Sequence, residues 1–270
     1  MTTKAVHFFE SIGRKANPFF VEVARMSHLA KESFYWGFIA PITGKKGLRR
    51  SFFFQQLVFA GNESLPIAFL VAASVGAVLA LQAAYQLKQF GALMYTGALV
   101  ALSMTRELGP ILTSIVVAGR VGASMTAELG TMKTQEEIDA LTTMGIPPIP
   151  YLVVPRILAI AIMLPCLAIL NNIIGMLGGL LVGWLGLGID PNIYMTESLH
   201  ALVAKDILTG IAKSFVFALL IGLICTYKGL STHGGAESVG RSTTQAVVLS
   251  TISVIVSDCL LTAIFYYVFP

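Results

Sequence analysis

The sequence is short of charged residues. Only 12% of its 270 residues are Asp, Glu, Lys or Arg, whereas soluble domains carry about 25%. Hydrophobic residues make up 56% of the chain, and the mean hydropathy is +0.79. These values exclude an ordinary soluble domain and indicate a membrane protein.

Cysteine and histidine are also scarce. Cys166, Cys225 and Cys259 each stand alone in an apolar segment, and the four histidines are scattered along the chain. Neither pattern has the ligand spacing of a metal site. We therefore expect no bound metal and interpret the cysteines as buried structural thiols.

Motifs for catalysis and nucleotide binding are missing. The G-x-x-x-x-G-K-[ST] phosphate loop is absent, because Gly44-Lys45-Lys46 lacks its spacing and hydroxyl. The H-E-x-x-H and G-x-S-x-G motifs are absent too. The sequence therefore predicts a chain that is not an enzyme and has no cofactor of its own, so that another chain must hydrolyse any ATP.

The basic residues are concentrated near the beginning of the chain. Nine of the 18 lie in the first 50 positions, without the interleaved aromatic residues of a nucleic-acid-binding face. Nucleic acid is therefore excluded as a partner. A basic segment before a membrane span is instead typical of a cytoplasmic surface near anionic lipid.

Five apolar runs are long enough to cross a membrane, which takes about 20 residues. They cover residues 64–86, 92–127, 149–187, 207–228 and 244–269. The predicted fold is therefore all-α and polytopic, with an amphipathic N-terminal region at 1–60 and a transmembrane domain at 61–270. The third run contains Pro165 and predicts either one kinked helix or a re-entrant hairpin.

Loop charges favour a single crossing for the third run. With a cytoplasmic N-terminus, the inner segments 1–60, 128–148 and 229–243 carry nine, one and one basic residues, and the outer segments carry only Lys88 and Lys205. This distribution agrees with the positive-inside tendency. Five crossings then place the C-terminus outside.

The N-terminal region has an amphipathic pattern. Apolar residues recur at three- and four-residue steps, which predicts a helix in the plane of the membrane interface. A soluble helix packed on other protein is the alternative. The pattern has two pieces. The second, 49–59, leads into the first span. The first has apolar positions at Phe19, Val23, Met26, Ala30 and Phe34.

A short helix is predicted at about 134–145, between the second and third runs. Thr134 and Glu137 have the spacing of a capping box, and Gly145 followed by Pro147 is a stop signal. The helix carries an apolar stripe of Ile138, Leu141 and Met144 beside the acidic residues Glu136, Glu137 and Asp139. The stripe either packs on this chain's own helix ends or enters the groove of a separate protein and transmits movement.

Charged residues also occur at membrane depth. Arg106 and Glu107 precede the helix breaker Gly109-Pro110, and a charge in the bilayer costs several kcal/mol unless it is paired or hydrated. Adjacent residues lie about 100° apart on a helix, so these two cannot simply neutralise each other. We expect at least one to pair with a facing helix or a lipid head group. Asp258, in the last run, is expected to form a structural ion pair, and Arg120 to reach the cytoplasmic interface.

Several motifs together resemble the MlaE/YrbE permeases, the membrane subunits of ABC transporters that work with MCE-domain proteins. The resemblance covers about residues 48–268. The motifs are RELGP at 106–110, AGRVGA at 118–123, AELGTM at 127–132, QEEIDAL at 135–141 and YLVVPR at 151–156.

The resemblance implies a homodimeric permease in the bacterial inner membrane, with an interfacial helix and five spans per chain. The implied partners are a cytoplasmic ABC ATPase, a periplasmic MCE-domain protein and in many systems a STAS-domain protein. The implied cargo is glycerophospholipid, moved between the inner membrane and the outer envelope in the maintenance of outer-membrane lipid asymmetry. The C-terminus would then be periplasmic.

The resemblance also implies site residues. The family's lipid cavity maps to Leu79, Gln82, Gln86, Phe90, Arg106 and Glu107. Its ATPase-coupling helix maps to Glu136, Glu137, Ile138, Asp139, Leu141 and Met144. Two other functions remain open, namely a non-transporting scaffold that recruits a cytoplasmic protein through 134–145 and an ion-coupled carrier that uses Asp258 and Glu107.

Overall fold

The computed structural model describes residues 21–39 and 50–268, and within these ranges every regular element is helical. The predicted all-α class is confirmed. The α-helices are α1 (21–34), α2 (Arg50–Gly61), α3 (Leu65–Gln89), α4 (Thr96–Ser103), α5 (Gly109–Val117), α6 (Ala123–Thr134), α7 (Glu137–Thr143), α8 (Val154–Leu187), α9 (Pro191–Ala201), α10 (Ala204–Leu230) and α11 (Ala236–Val268).

Five helical segments are long and apolar enough to cross a membrane, which confirms the predicted number of spans. The first span combines α2 and α3, and the second combines α4, α5 and α6. The third contains α8, the fourth is α10 and the fifth is α11. Their bounds are Ser51–Gln89, Leu93–Thr134, Ile149–Leu187, Ala204–Leu230 and Ala236–Tyr267.

The third span is one continuous helix, so the re-entrant alternative is wrong. Its α8 has 34 residues and keeps Pro165 inside the helix. At 1.5 Å per residue it is about 51 Å long, well beyond a hydrocarbon core of about 30 Å. The helix must therefore tilt or extend past the bilayer.

Small residues bring α3 and α8 together. A Cβ added at Gly76 would lie 1.9 Å from the carbonyl oxygen of Gly175, and one at Gly178 would lie 2.3 Å from that of Ala73. Nothing larger than glycine fits at these backbone crossings. The glycines of the third span therefore serve close helix packing.

Two π-helical turns interrupt the second span. They cover Met104–Leu108 and Ala118–Gly122, and each contains an arginine. Gly109-Pro110 was expected to break the helix, but it does not. The preceding π-turn accommodates the proline ring, and α5 continues directly from it.

Helix α1 lies against the bundle through a face that overlaps the predicted stripe only at Met26 and Ala30, which are half-buried. Leu29 and Ser33 are its buried side chains, whereas Val23 and Phe34 are exposed. Glu22 accepts a hydrogen bond from the ammonium of Lys228 at the end of the fourth span. The predicted stripe position Phe19 lies outside the described residues.

Helix α2 is held by two arginines on aromatic rings. Arg120, in the second span, lies over Phe59 with its Cζ 5.2 Å from the ring centroid, and Arg156, in the third span, lies 5.0 Å over Phe52. The two rings are seven residues apart and so share one face of α2. Each contact is a cation–π interaction, and together they fix α2 against two spans.

Both arginines are also ion-paired. Arg120 contacts Glu63 at 2.5 Å and donates to the hydroxyl of Ser64 at 3.0 Å. Arg156 contacts Glu128 at 2.8 Å. Arg120 therefore pairs with a carboxylate at the turn between α2 and α3, just before the first predicted apolar run begins.

Tyr194 of α9 closes the end of the bundle opposite α7. The ring packs against Gly97, Gly179 and Gly183, where added Cβ atoms would lie 2.4 to 3.3 Å from Tyr194 atoms. The side chain is only 1% exposed, and its hydroxyl has no hydrogen-bond partner. A buried hydroxyl without a partner lowers stability by about 1–3 kcal/mol.

Replacing Tyr194 with phenylalanine should therefore stabilise the protein by about 1 kcal/mol. Burial also raises the pKa of Tyr194 above its ordinary value of 10.0. As pH rises above about 10, the unfolded chain releases the phenol proton and the folded chain keeps it, so stability falls. The variant should lose less stability than the parent over this range. Thermal unfolding in detergent at pH 8 and pH 11 measures both effects. An unfolding temperature of the variant below the parent's at pH 8 would contradict the predicted stabilisation.

Candidate functional site

A network of ionic side chains joins the second, fourth and fifth spans. Arg106 pairs with Asp206 of α10, with its Nη2 2.6 Å from Asp206 Oδ1 and its Nε donating a hydrogen bond to the same oxygen at 2.6 Å. Both nitrogens contact the same carboxylate oxygen, and the other oxygen, Oδ2, accepts from the N–H of Val203. The Asp206 side chain is 2% exposed, whereas that of Arg106 is 54% exposed. The guanidinium therefore has an accessible edge.

Lys213 of α10 lies at the centre of the network. Its ammonium is 2.5 Å from Glu107 Oε2 and donates to Thr262 Oγ1 at 2.7 Å. It also lies 3.0 Å from Asp258 Oδ1, a distance that makes an ion pair without hydrogen-bond geometry. The Lys213 side chain is only 2% exposed, so one buried cation is shared by two carboxylates.

The expectations for these charges are confirmed. Arg106 and Glu107 pair with different partners on α10, and Asp258 has a structural ion pair with Lys213. Asp206 and Lys213 were not identified as candidate site residues from the sequence. Lys213 lies inside the apolar run 207–228, and the criterion that singled out Asp258 would have found it. Nothing local in the sequence indicates which acids it would meet.

A cavity of about 530 Å³ opens beside this network. The buried Lys213 lines it, together with aromatic residues near the end of the fifth span. It lies near the end of the bundle opposite α7, since α10 begins and the fifth span ends there. The lining residues are Arg106, Glu107, Lys205, Asp206, Thr209, Lys213, Thr262, Phe265, Tyr266 and Tyr267.

A second, shallower groove adjoins the cavity between the second and fifth spans. It shares Glu107, Thr262 and Tyr266 with the cavity and adds Asp258. The two openings therefore have different charge, because Arg106, Lys205 and Lys213 all line the cavity and none lines the groove.

The six predicted lipid-binding residues do not share one opening within the chain. Leu79, Gln82 and Gln86 line a separate cleft of about 200 Å³ between α3 and α4, while Arg106 and Glu107 line the charged cavity. Phe90 is 81% exposed, just after the end of α3.

Helix α7 is shorter than predicted and begins differently. It covers Glu137–Thr143, and no side chain caps its N-terminus. The Thr134 hydroxyl instead donates to the carbonyl of Thr131 at 3.0 Å, as part of α6. The predicted capping box is therefore wrong. Glu136 makes the turn in the left-handed region, with φ +60°.

The predicted end of α7 is confirmed. Gly145 has φ +76°, and its N–H donates to the carbonyl of Thr142 at 3.0 Å. The N–H of Ile146 donates to the carbonyl of Leu141, also at 3.0 Å. These two bonds form a Schellman motif.

The apolar stripe of α7 is divided between two surroundings. Ile138 is buried with Leu129 and Leu152, and Leu141 packs against them, so this part of the stripe contacts the chain itself. Met144 is 66% exposed. Glu136 and Glu137 are exposed, and Asp139 accepts hydrogen bonds from Lys133 at 2.8 and 3.1 Å. The helix is thus anchored on one side and presents acidic residues and a methionine on the other.

The described residues contain no group of three or more His, Cys, Asp or Glu side chains that could hold a metal ion. Cys225 is buried, as expected. Cys166 and Cys259 are exposed on the surface of the chain, so their predicted burial is wrong.

The chain matches the family model described as Permease MlaE over residues 53–264. It is 44% identical over 218 residues to a probable ABC transporter permease protein of Rickettsia felis, covering 81% of this chain and 84% of that protein. A probable ABC transporter permease protein of Synechocystis is 39% identical over 204 residues, covering 76% and 78%. The Arabidopsis thaliana protein TRIGALACTOSYLDIACYLGLYCEROL 1, chloroplastic, is 39% identical over 212 residues, covering 78% of this chain and 61% of that protein.

Proposed function

Since this chain is an ABC transporter permease of the MlaE family, we propose that it moves glycerophospholipids between the inner membrane and the outer envelope. The observation that carries the proposal is the accessible guanidinium of Arg106 in a cavity that is also lined by aromatic side chains. A phosphate needs a charge-assisted donor and acyl chains need apolar surface. The name of the Arabidopsis relative contains that of a diacylglycerol lipid, which agrees with lipid cargo.

The proposed assembly is a homodimer with a cytoplasmic ABC ATPase, a periplasmic MCE-domain protein and a STAS-domain protein. The cleft of Leu79, Gln82 and Gln86 is separate from the charged cavity within one chain. A second copy would complete one larger lipid site from both. In this arrangement Leu79 and Phe90 provide apolar contacts, and Arg106 contacts the phosphate.

The proposed topology places the N-terminus and α7 in the cytoplasm and the C-terminus in the periplasm. Basic residues in the inner loops support this orientation. The exposed side of α7 is then available to the ATPase, and the charged cavity lies toward the periplasmic leaflet. Movement of α7 on ATP binding would compress the lipid site and release its cargo to the MCE-domain protein.

Purification of the tagged chain from its native membranes tests the proposal. Mass spectrometry of the purified material should identify an ABC ATPase, an MCE-domain protein and bound glycerophospholipid. A chain that carries neither an ATPase nor lipid would overturn the proposal. A bound ATPase without lipid, together with transport that follows the proton gradient, would favour the ion-coupled carrier.

A further inference from the structure

Among the described residues that line the cavity and its adjoining groove, the formal charges sum to zero. Three basic residues, Arg106, Lys205 and Lys213, line the cavity. Three acidic residues, Glu107, Asp206 and Asp258, line the cavity or the groove. A ligand of zero net charge would leave this balance intact, whereas an anionic ligand would add an uncompensated charge to a partly buried site.

The accessible charges are also separated in space, because Lys213, which pairs with both groove carboxylates, is only 2% exposed. All three basic side chains line the cavity, whereas the groove is lined by Glu107 and Asp258 without any of them. A phosphate in the cavity would face Arg106, and a positive group a few bonds away would reach the groove past Glu107. The two openings are continuous there, since both are lined by Glu107, Thr262 and Tyr266.

The groove has suitable contacts for an ammonium group. Glu107 is 36% exposed, so its carboxylate remains accessible although it pairs with Lys213. Asp258 also lines the groove, where its side chain is 14% exposed, and its buried Oδ1 is the atom that pairs with Lys213. The Tyr266 ring lines both openings, and an aromatic face attracts a cation.

From this arrangement we infer that the site selects zwitterionic glycerophospholipids with an ammonium-bearing head group over anionic ones. The inference rests on the proposed function, since it assumes that a phospholipid occupies the cavity. Arg106 binds the phosphate, and Glu107 with Asp258 receives the ammonium. The preference comes from charge balance rather than from the acyl chains.

Competition between two head groups tests the inference. The purified complex is exchanged into nanodiscs that contain phosphatidylethanolamine and phosphatidylglycerol in equal amounts, with identical acyl chains. It is then re-extracted, and the retained lipids are quantified by mass spectrometry. The Arg106→Ala variant gives the background of lipid bound elsewhere on the surface. After subtraction, phosphatidylethanolamine should be enriched on the order of tenfold, the effect expected of one poorly screened charge.

Removal of one negative charge should reverse the preference. Asp258→Asn makes the sum of charges positive and should shift the retained lipid toward phosphatidylglycerol. Glu107→Gln makes the same change in charge. It serves as the test if the Asp258→Asn variant does not fold. Glu197→Gln is the matched control, because it removes a negative charge from α9, outside both openings, and should leave the ratio unchanged.

The possible failures are distinguishable. Retained lipid with equal head groups, or with phosphatidylglycerol in excess, overturns the inference and leaves the proposed function standing. Retention no greater than in the Arg106→Ala variant, for either lipid, overturns the proposed function and the inference together.

Discussion

Replacing Lys213 with methionine should destabilise the protein by about 3 kcal/mol, because a buried ion pair that loses one partner leaves uncompensated charge. The methionine is similar in length, so packing changes little. Asp258 is only 14% exposed and would lose its partner completely. Glu107 is 36% exposed, and water would screen part of its charge. The unfolding temperature in detergent should fall by on the order of 10 °C.

A rescue variant separates the loss of charge balance from the loss of packing. Adding Glu107→Gln and Asp258→Asn to Lys213→Met removes both unpaired carboxylates and should restore most of the lost stability. Thermal unfolding followed by size-exclusion chromatography measures the single and triple variants together. If the triple variant is as unstable as the single variant, Lys213 acts through packing and the electrostatic interpretation is wrong.

Reversing the charge of Glu136 and Glu137 should disconnect the permease from its ATPase. These carboxylates are exposed, and α7 is anchored from its other side by Ile138, so the substitutions should leave the fold intact. A close pair of like charges at an interface costs several kcal/mol. We expect lysine at both positions to reduce ATP-dependent lipid movement at least about tenfold, equivalent to about 1.4 kcal/mol.

The control for this prediction is Glu237→Lys. Glu237 is 89% exposed at the start of α11, on the same end of the bundle as α7 but on a different element. Asp139 is left unchanged because its pair with Lys133 connects α7 to α6, whereas the pair of Glu237 with Arg241 lies within α11. Reconstituted lipid transfer and the amount of co-purified ATPase should both fall in the α7 variant and remain normal in the control. Normal transfer in the α7 variant would show that this surface does not contact the ATPase.

The five spans were predictable because membrane crossing depends on length and apolar composition, which are local properties of the sequence. The end of α7 was predictable for a similar reason. Gly145 adopts the left-handed conformation that its residue type permits. The beginning of α7 was not predictable, because the Thr134 hydroxyl has two possible partners. It donates a hydrogen bond to the preceding carbonyl of Thr131 instead of capping the next helix.

The ionic network was only partly predictable. The sequence indicates that Arg106, Glu107 and Asp258 need partners, since unpaired charges are costly in a bilayer. It does not identify these partners, because Arg106 and Asp206 are 100 residues apart in the chain and Glu107 and Lys213 are 106 apart. Such pairs depend on how the spans pack and on the π-turn at Met104–Leu108, which no periodicity in the sequence marks.

Crosslinking inside the charged cavity tests the proposed lipid site most directly. A photoreactive amino acid at Thr209, which lines the cavity, should form an adduct with radiolabelled phospholipid in the reconstituted complex. The Arg106→Ala substitution should abolish this adduct. The same probe at Leu208, which is 67% exposed and does not line the cavity, should label bulk lipid regardless of Arg106. If the Thr209 adduct is absent, or if it persists unchanged without the guanidinium, the cavity is not where the lipid head group binds.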